Sequence, residues 1–148
     1  MVDANLLLYA IDTASPHHTA AKTWWDGKLA EANPLGLAWV TILAFLRLST
    51  NPRVFRNPCT ITEAFMHVES WLARPFIQVV VEPPDHWTRL RDLLRALGAG
   101  GDVTTDAHLA ALALAHDAEL CSADRDFSRF PGLKWRNPLA SAQMGAAS

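Results

Sequence analysis

Apolar residues along this chain fall into two alternating patterns, short unbroken runs and longer stretches at helical spacing. The run Leu6 to Ala10 ends near Asp12, and Ser15-Pro16 opens a helical stretch in which Ala20, Trp24, Trp25 and Leu29 recur. Asn33-Pro34 breaks the chain. Leu35 to Trp39 then reads as a short apolar segment, and Ile42, Leu43, Leu46 and Leu48 as a buried helix ending before Asn51-Pro52. Thr60 with Glu63 three residues on has the spacing of a capping box, and the helix it starts is predicted to carry Phe65, Val68, Trp71 and Leu72 on one face. The β-branched run within Phe76 to Val81, closed by Pro83-Pro84, predicts a central parallel strand covered on both faces.

Another helix is expected from about Asp85 to Leu97, stopped by Gly98-Ala99-Gly100-Gly101. Thr104 or Thr105 can cap the next one, which carries Leu109, Ala113 and His116 and has Asp106 in its first turn. Glu119 to Ser122 and Leu133 to Trp135 are short predicted strands. Residues 1–139 read as one domain and 140–148 as an alanine-rich, frayed tail. Strands separated by helices imply βαβ units, an α/β fold and a parallel sheet, whose ligands gather beyond the strands' carboxyl ends.

Asp3, Asp106, Asp124 and Asp126 fall at such ends or just past them. Each has an ordinary structural role when taken alone. Asp3 suits a helix N-cap, Asp106 is favoured by a helix dipole, and Asp124 and Asp126 are good turn formers. Their convergence on one sheet edge points to chemistry, because carboxylates so close resist ionising together unless a cation sits between them. Oxygen ligands select Mg²⁺, with Mn²⁺ as a substitute, over zinc, and incomplete ligation leaves room for water and a phosphate oxygen.

Bulk composition narrows the alternatives. The 148 residues are 50% apolar and 19% charged, which suits one domain with a sizeable core. A net charge of -2 gives no global pull on a polyanion, so any polyanionic partner must be gripped by a local basic patch or through metal. Arg47, Arg53 and Arg56 lie in a stretch without acids, and Arg125, Arg129, Lys134 and Arg136 outnumber Asp126 in another. Cys59 and Cys121 have no metal-ligand spacing, and the six histidines form no HExxH pattern. GxSxG is absent, and the glycine loop lacks the Lys-Ser/Thr of a P-loop. No apolar run reaches the roughly 18 residues of a membrane span, so no membrane association and a cytoplasmic location are expected. The six tryptophans are expected chiefly as core anchors.

Four ordered stretches resemble the PIN-domain ribonucleases, and within them the VapC toxins of toxin–antitoxin pairs. They are Val2 to Ala10, Phe45 to Phe55, Thr105 to Ala113, and Ala123 to Phe127 with Phe130 to Leu133. The resemblance implies a three-layer α/β/α fold with a five-stranded parallel sheet, and Mg²⁺-dependent endonucleolytic cleavage of RNA by a metal-activated water. Asp3 and Asp106 match the family's metal ligands, Asp124 its later acidic position, and Asn5 and Ser122 polar positions flanking the site. Asp126 reads either as a ligand through water or as a turn residue. A cognate VapB-type antitoxin and a homodimer are implied as partners, and Arg47, Arg53 and Arg125 are candidate contacts to RNA phosphates.

Two departures stand out. Most PIN nucleases carry a glutamate where this chain has Ala44, leaving Asp102 or Asp126 as its replacement or the site with one metal rather than two. Only Met1 and Val2 precede Asp3, a short beginning for the first strand. The missing glutamate motivates one rival reading, a catalytically degenerate PIN-like module that binds RNA or protein. The pair Asp124 and Asp126 motivates another, an aspartyl phosphatase, although the lysine and downstream acidic motif that such enzymes need are absent.

Overall fold

A computed structural model describes residues 1–140, so the predicted tail lies outside the described residues but for Ala140. The elements are α1 (Ala4–Ile11), α2 (His18–Glu31), β1 (Leu35–Ala38), α3 (Trp39–Ser49), α4 (Ile61–Leu72), β2 (Ile77–Val80), α5 (His86–Leu97), α6 (Val103–Ala115), β3 (Leu120–Cys121) and β4 (Trp135–Arg136). A 3-10 turn, Arg125–Arg129, separates the last two strands.

β1 pairs with β2 in parallel from Leu35↔Ile77 to Ala38↔Val80, and β3 pairs with β4 in parallel from Leu120↔Trp135 to Cys121↔Arg136. The N-terminal residues join the two pairs. Val2 forms a parallel bridge with Cys121, and its N–H donates to the Gly36 carbonyl at 3.4 Å. Cys121 N–H donates to Met1 O and Asp3 N–H to Cys121 O, both at 2.9 Å. The lateral order is therefore β2, β1, the N-terminal residues, β3, β4. Four strands form among the described residues where five were predicted, and the middle place is held by a segment that makes one parallel bridge, too short to build a ladder of its own. Gly36 leaves no room for a side chain here, since a Cβ would lie 2.5 Å from Val80 Cγ2 and 3.3 Å from Met1 Cγ.

The run around Ile77 is also corrected in position. β2 has β1 as its one partner among the described residues, so it lies at a sheet edge, with Gln78 exposed and Val79 and Val80 half-buried. Hydrophobic content marks a strand well but does not distinguish a central one from an edge strand that a helix covers.

Strand residues alternate between two apolar clusters because successive side chains point to opposite faces. Leu37, Val79 and Cys121 join the cluster formed with α1 to α4, whereas Ala38, Val80, Leu120 and Trp135 join the one formed with α5, α6 and the 3-10 turn. In the first cluster Phe45 is fully buried, with its ring centroid 4.8 Å from that of Trp71, which in turn lies 5.6 Å from Trp25. The Thr60–Glu63 capping box is present and starts α4. Its core face is Ala64, Val68 and Trp71, however, while Phe65 and Leu72 are exposed, each one residue around the helix from a buried position.

α6 begins at Val103, earlier than predicted, and Asp106 remains in its first turn. His86 and His108, far apart in sequence, meet at 2.8 Å between Nε2 and Nδ1 and join α5 to α6. Phe45→Ala is expected to cost about 3–5 kcal/mol of unfolding free energy, the usual range for truncating a buried phenylalanine. Urea unfolding followed by tryptophan fluorescence measures it.

Candidate metal centre

The site forms where the N-terminal segment, β3 and α6 end or begin together. Asp3 caps α1, and its Oδ1 accepts the Ala4 N–H at 2.7 Å. Asp106 stands in the first turn of α6, half-buried, between fully buried Ala107 and buried Val103. Asp124 caps the 3-10 turn by accepting the Asp126 N–H at 2.9 Å, which draws Asp126 toward the same place. Asp106, Asp124 and Asp126 each offer an oxygen, and these atoms lie within 4.8 Å of one another.

Ser122 organises the other half. Its fully buried hydroxyl donates to Asp3 Oδ2 at 2.7 Å and accepts from Asn5 Nδ2 at 3.1 Å and from the Asp124 N–H at 3.0 Å. Asn5 Oδ1 accepts the Ala123 N–H at 3.4 Å, and Trp135 Nε1 donates to the Ser122 carbonyl at 3.1 Å. One hydroxyl thus ties Asp3 to the loop that carries Asp124. On the opposite side of the N-terminal segment, buried Thr41 of α3 donates to the Val2 carbonyl at 3.4 Å.

The electrostatics follow from the crowding. Burial pushes the Asp106 carboxyl up from 3.8 to about 6, with further increments from Asp124, Asp3, Asp126 and Asp102. Burial also raises Asp3, with a smaller push from Asp124, although the hydrogen bonds from Ser122 and the Ala4 N–H oppose the rise. None of these aspartates has a lysine or arginine within 4.0 Å among the described residues. A divalent cation fits this donor set, which is all oxygen, net anionic and without an internal counter-ion.

The structure orders the predicted residues differently from the sequence. Asp106, Asp124 and Asp126 form the tight group, so Asp126 stands nearer the centre than a turn residue needs to. Asp3 borders that group through Ser122, and Asn5 braces the same hydroxyl. Asp102 is exposed at the N-cap of α6, makes no side-chain capping bond, and acts on Asp106 only through its charge. Arg125 is exposed beside the acids, Arg47 lies in the last turn of α3, and Arg53 is exposed in the turn that follows. Thr41 and Trp135 were not among the residues the sequence singled out. Neither is an acid, and nothing in their local pattern sets them apart from core residues.

A family model described as the PIN domain matches residues 1–133. The chain belongs to the PIN-domain family. Relatives of this PIN domain include Ribonuclease VapC37 of Mycobacterium tuberculosis, 44% identical over 140 residues, covering 95% of this chain and 97% of that protein. Ribonuclease VapC33 of the same species is 39% identical over 137 residues, covering 93% and 96%. The fold is similar to that in the crystal structure of VapBC2 from Rickettsia felis bound to a DNA fragment from its promoter, with a TM-score of 0.67, 18% identity and coverage of 93% and 96%. It is also similar to VapBC-1 from nontypeable Haemophilus influenzae, with a TM-score of 0.65, 15% identity and the same coverage. At such identities these two likenesses concern the fold alone.

Two outcomes test the centre. The folded Asp106 carboxyl titrates above its unfolded value, so the stability it contributes is complete below 3.8 and is lost as pH rises through about 6. Metal-free protein is therefore expected to melt lower at about pH 7.5 than at about pH 5, and Mg²⁺ or Mn²⁺ to raise the melting temperature more at the higher pH. Scanning calorimetry reads both. Ser122→Ala removes the donor that holds Asp3 down, and is expected to weaken Mn²⁺ binding by about 10–100-fold in a calorimetric titration.

Proposed function

We propose that this PIN domain, taken as residues 1–139, is a Mg²⁺-dependent endoribonuclease of the VapC type, with Mn²⁺ able to substitute. The observation that carries the reading is the group of Asp106, Asp124 and Asp126, whose oxygens lie within 4.8 Å of one another, with Asp3 coupled to Asp106 and no lysine or arginine paired to these acids among the described residues. Asp3, Asp106 and Asp124 are assigned as catalytic metal ligands. Asp126 is assigned the place left by the glutamate missing at Ala44, directly or through water, because it is the additional acid within the tight group.

A bound divalent ion supplies Lewis acidity toward the phosphodiester and a more acidic water. The residues of the chain do the rest. Ser122 and the Ala4 N–H oppose the rise that burial imposes on the Asp3 carboxyl, and so favour the ionised form that ligates a metal. Asn5 and the Asp124 N–H hold the Ser122 hydroxyl so that its proton points to Asp3. Asp106, near half ionisation at about pH 6 without metal, is the carboxyl whose charge state responds most to the ion. Exposed Arg125, with Arg47 and Arg53, is assigned to backbone phosphates of the RNA, where the net charge of -2 gives no help.

A VapB-type antitoxin is the partner this reading assigns, and the fold neighbours VapBC2 and VapBC-1 support it. The homodimer and the cytoplasmic location are proposed with it. No helix among the described residues is long and apolar enough to cross a membrane.

Cleavage of a single-stranded RNA with Mg²⁺ or Mn²⁺ and with EDTA tests the reading. Asp3→Asn, Asp106→Asn and Asp124→Asn are each expected to lower kcat/KM by at least about a hundredfold, the scale of losing one charge-stabilising group. Equal cleavage by the unaltered protein and these variants would contradict it. RNA binding without cleavage in any metal would favour the degenerate binding module that Ala44 suggests.

A further inference from the structure

α3 leaves the carboxyl end of β1 directly, with Ala38 as both the last strand residue and the helix N-cap. Its first turn lies against both halves of the acid site. Thr41 donates to the carbonyl of Val2, the residue before Asp3, while Val40 packs against the cluster containing Val103 and Ala107, which flank Asp106. Thr41, Ile42 and Phe45 are buried, so the opposite side of the helix faces solvent. That side carries Trp39, Leu43 and Arg47 at four-residue intervals, one continuous stripe about 12 Å long at helical rise. Trp39 is 54% exposed and Leu43 60%, so two large apolar side chains of this helix face solvent together. Trp39 makes no ring contact with another aromatic residue among the described residues, unlike the core pair Trp25 and Trp71.

Charge distinguishes the possible occupants of this stripe. Residues 32–62 contain no aspartate, glutamate or lysine, and their arginines are Arg47, Arg53 and Arg56. All three are exposed, and none forms an ion pair among the described residues. An exposed indole and Arg47 on one helix face, with Arg53 and Arg56 exposed in the segment that follows α3, suit a polyanion with stackable bases. Single-stranded RNA also needs cations near this site, because the acid cluster by itself repels it.

We infer that the Trp39–Leu43–Arg47 face of α3 is a base-stacking platform for single-stranded RNA. On this platform Trp39 stacks on one base beside the scissile bond and Arg47 takes a backbone phosphate further along. The inference rests on the ribonuclease reading and adds to it a positioning residue that is no part of the metal centre. Because stacking needs an unpaired base, the platform also selects single-stranded over double-stranded substrate.

The test walks one abasic ribonucleotide through a fluorescent single-stranded RNA and measures binding in the Asp106→Asn background, with and without Trp39→Ala and Trp39→Phe. Trp39→Ala is expected to weaken binding by about tenfold or more and Trp39→Phe by much less, in keeping with stacking on any aromatic ring. One abasic position is expected to impose the same loss on protein that keeps Trp39 and no further loss on Trp39→Ala. Unchanged binding by Trp39→Ala overturns the platform. So does an abasic walk in which no position matters to protein that keeps Trp39, a result that does not depend on how any variant folds. Light scattering that shows Trp39→Ala turning a dimer into a monomer while RNA binding stays unchanged also overturns it, in favour of a protein interface. Cleavage by protein with an intact metal centre is scored separately. If that fails, the ribonuclease reading falls. If it succeeds while Trp39→Ala is neutral, only the platform falls.

Discussion

Several carboxylates are held at one sheet edge by a hydroxyl and backbone N–H groups, with no lysine or arginine paired to them among the described residues. In water such charges separate or are screened, but here the backbone prevents them from moving apart. Asp3 is fixed by capping α1, Asp106 by the first turn of α6, and Asp124 by capping the turn that brings Asp126 in. Each cap is a stabilising local arrangement by itself. Their sum is a repulsive cluster, and burial, with the neighbouring carboxylates adding to it, pushes the Asp106 carboxyl up to about 6.

The architecture is arranged around this conflict. The N-terminal residues lie between β1 and β3, so Asp3 enters the site from the middle of the sheet although only a single bridge to Cys121 marks the strand. Thr41 holds one side of that segment and Ser122, through Asp3, the other. Fully buried Ser122 is the point where sheet packing and site chemistry meet, since it supports the N-terminal acid and the loop acid together. Apolar clusters on both faces make the edge rigid enough that the acids cannot relax apart.

Much of this was legible in the residues, for identifiable reasons. Asp3 ahead of a helical run, Thr60 with Glu63 and the glycine stop at Gly98 are local signals, and each takes the role its neighbours dictate. The convergence of Asp3, Asp106 and Asp124 followed from βα order alone. What the residues did not show depends on tertiary packing. The edge position of β2 depends on which strand pairs with which, and a β-branched run looks the same in the centre or at the rim. The place of Asp126 in the tight group depends on the 3-10 turn, and the exposure of Phe65 and Leu72 on a small rotation of α4. Trp39 and Thr41 lie in an apolar stretch that reads as core throughout, and only the structure separates the outward indole from the inward hydroxyl.

The central claim is that the distant acids share one cation. Crystals grown with Mn²⁺ and measured at an anomalous wavelength test it without relying on any activity. The account requires an anomalous peak within coordination distance of Asp106 and Asp124, with Asp3 or Asp126 completing the protein ligands. A map with no peak there, or with manganese bound elsewhere while these carboxylates stay unliganded, contradicts it.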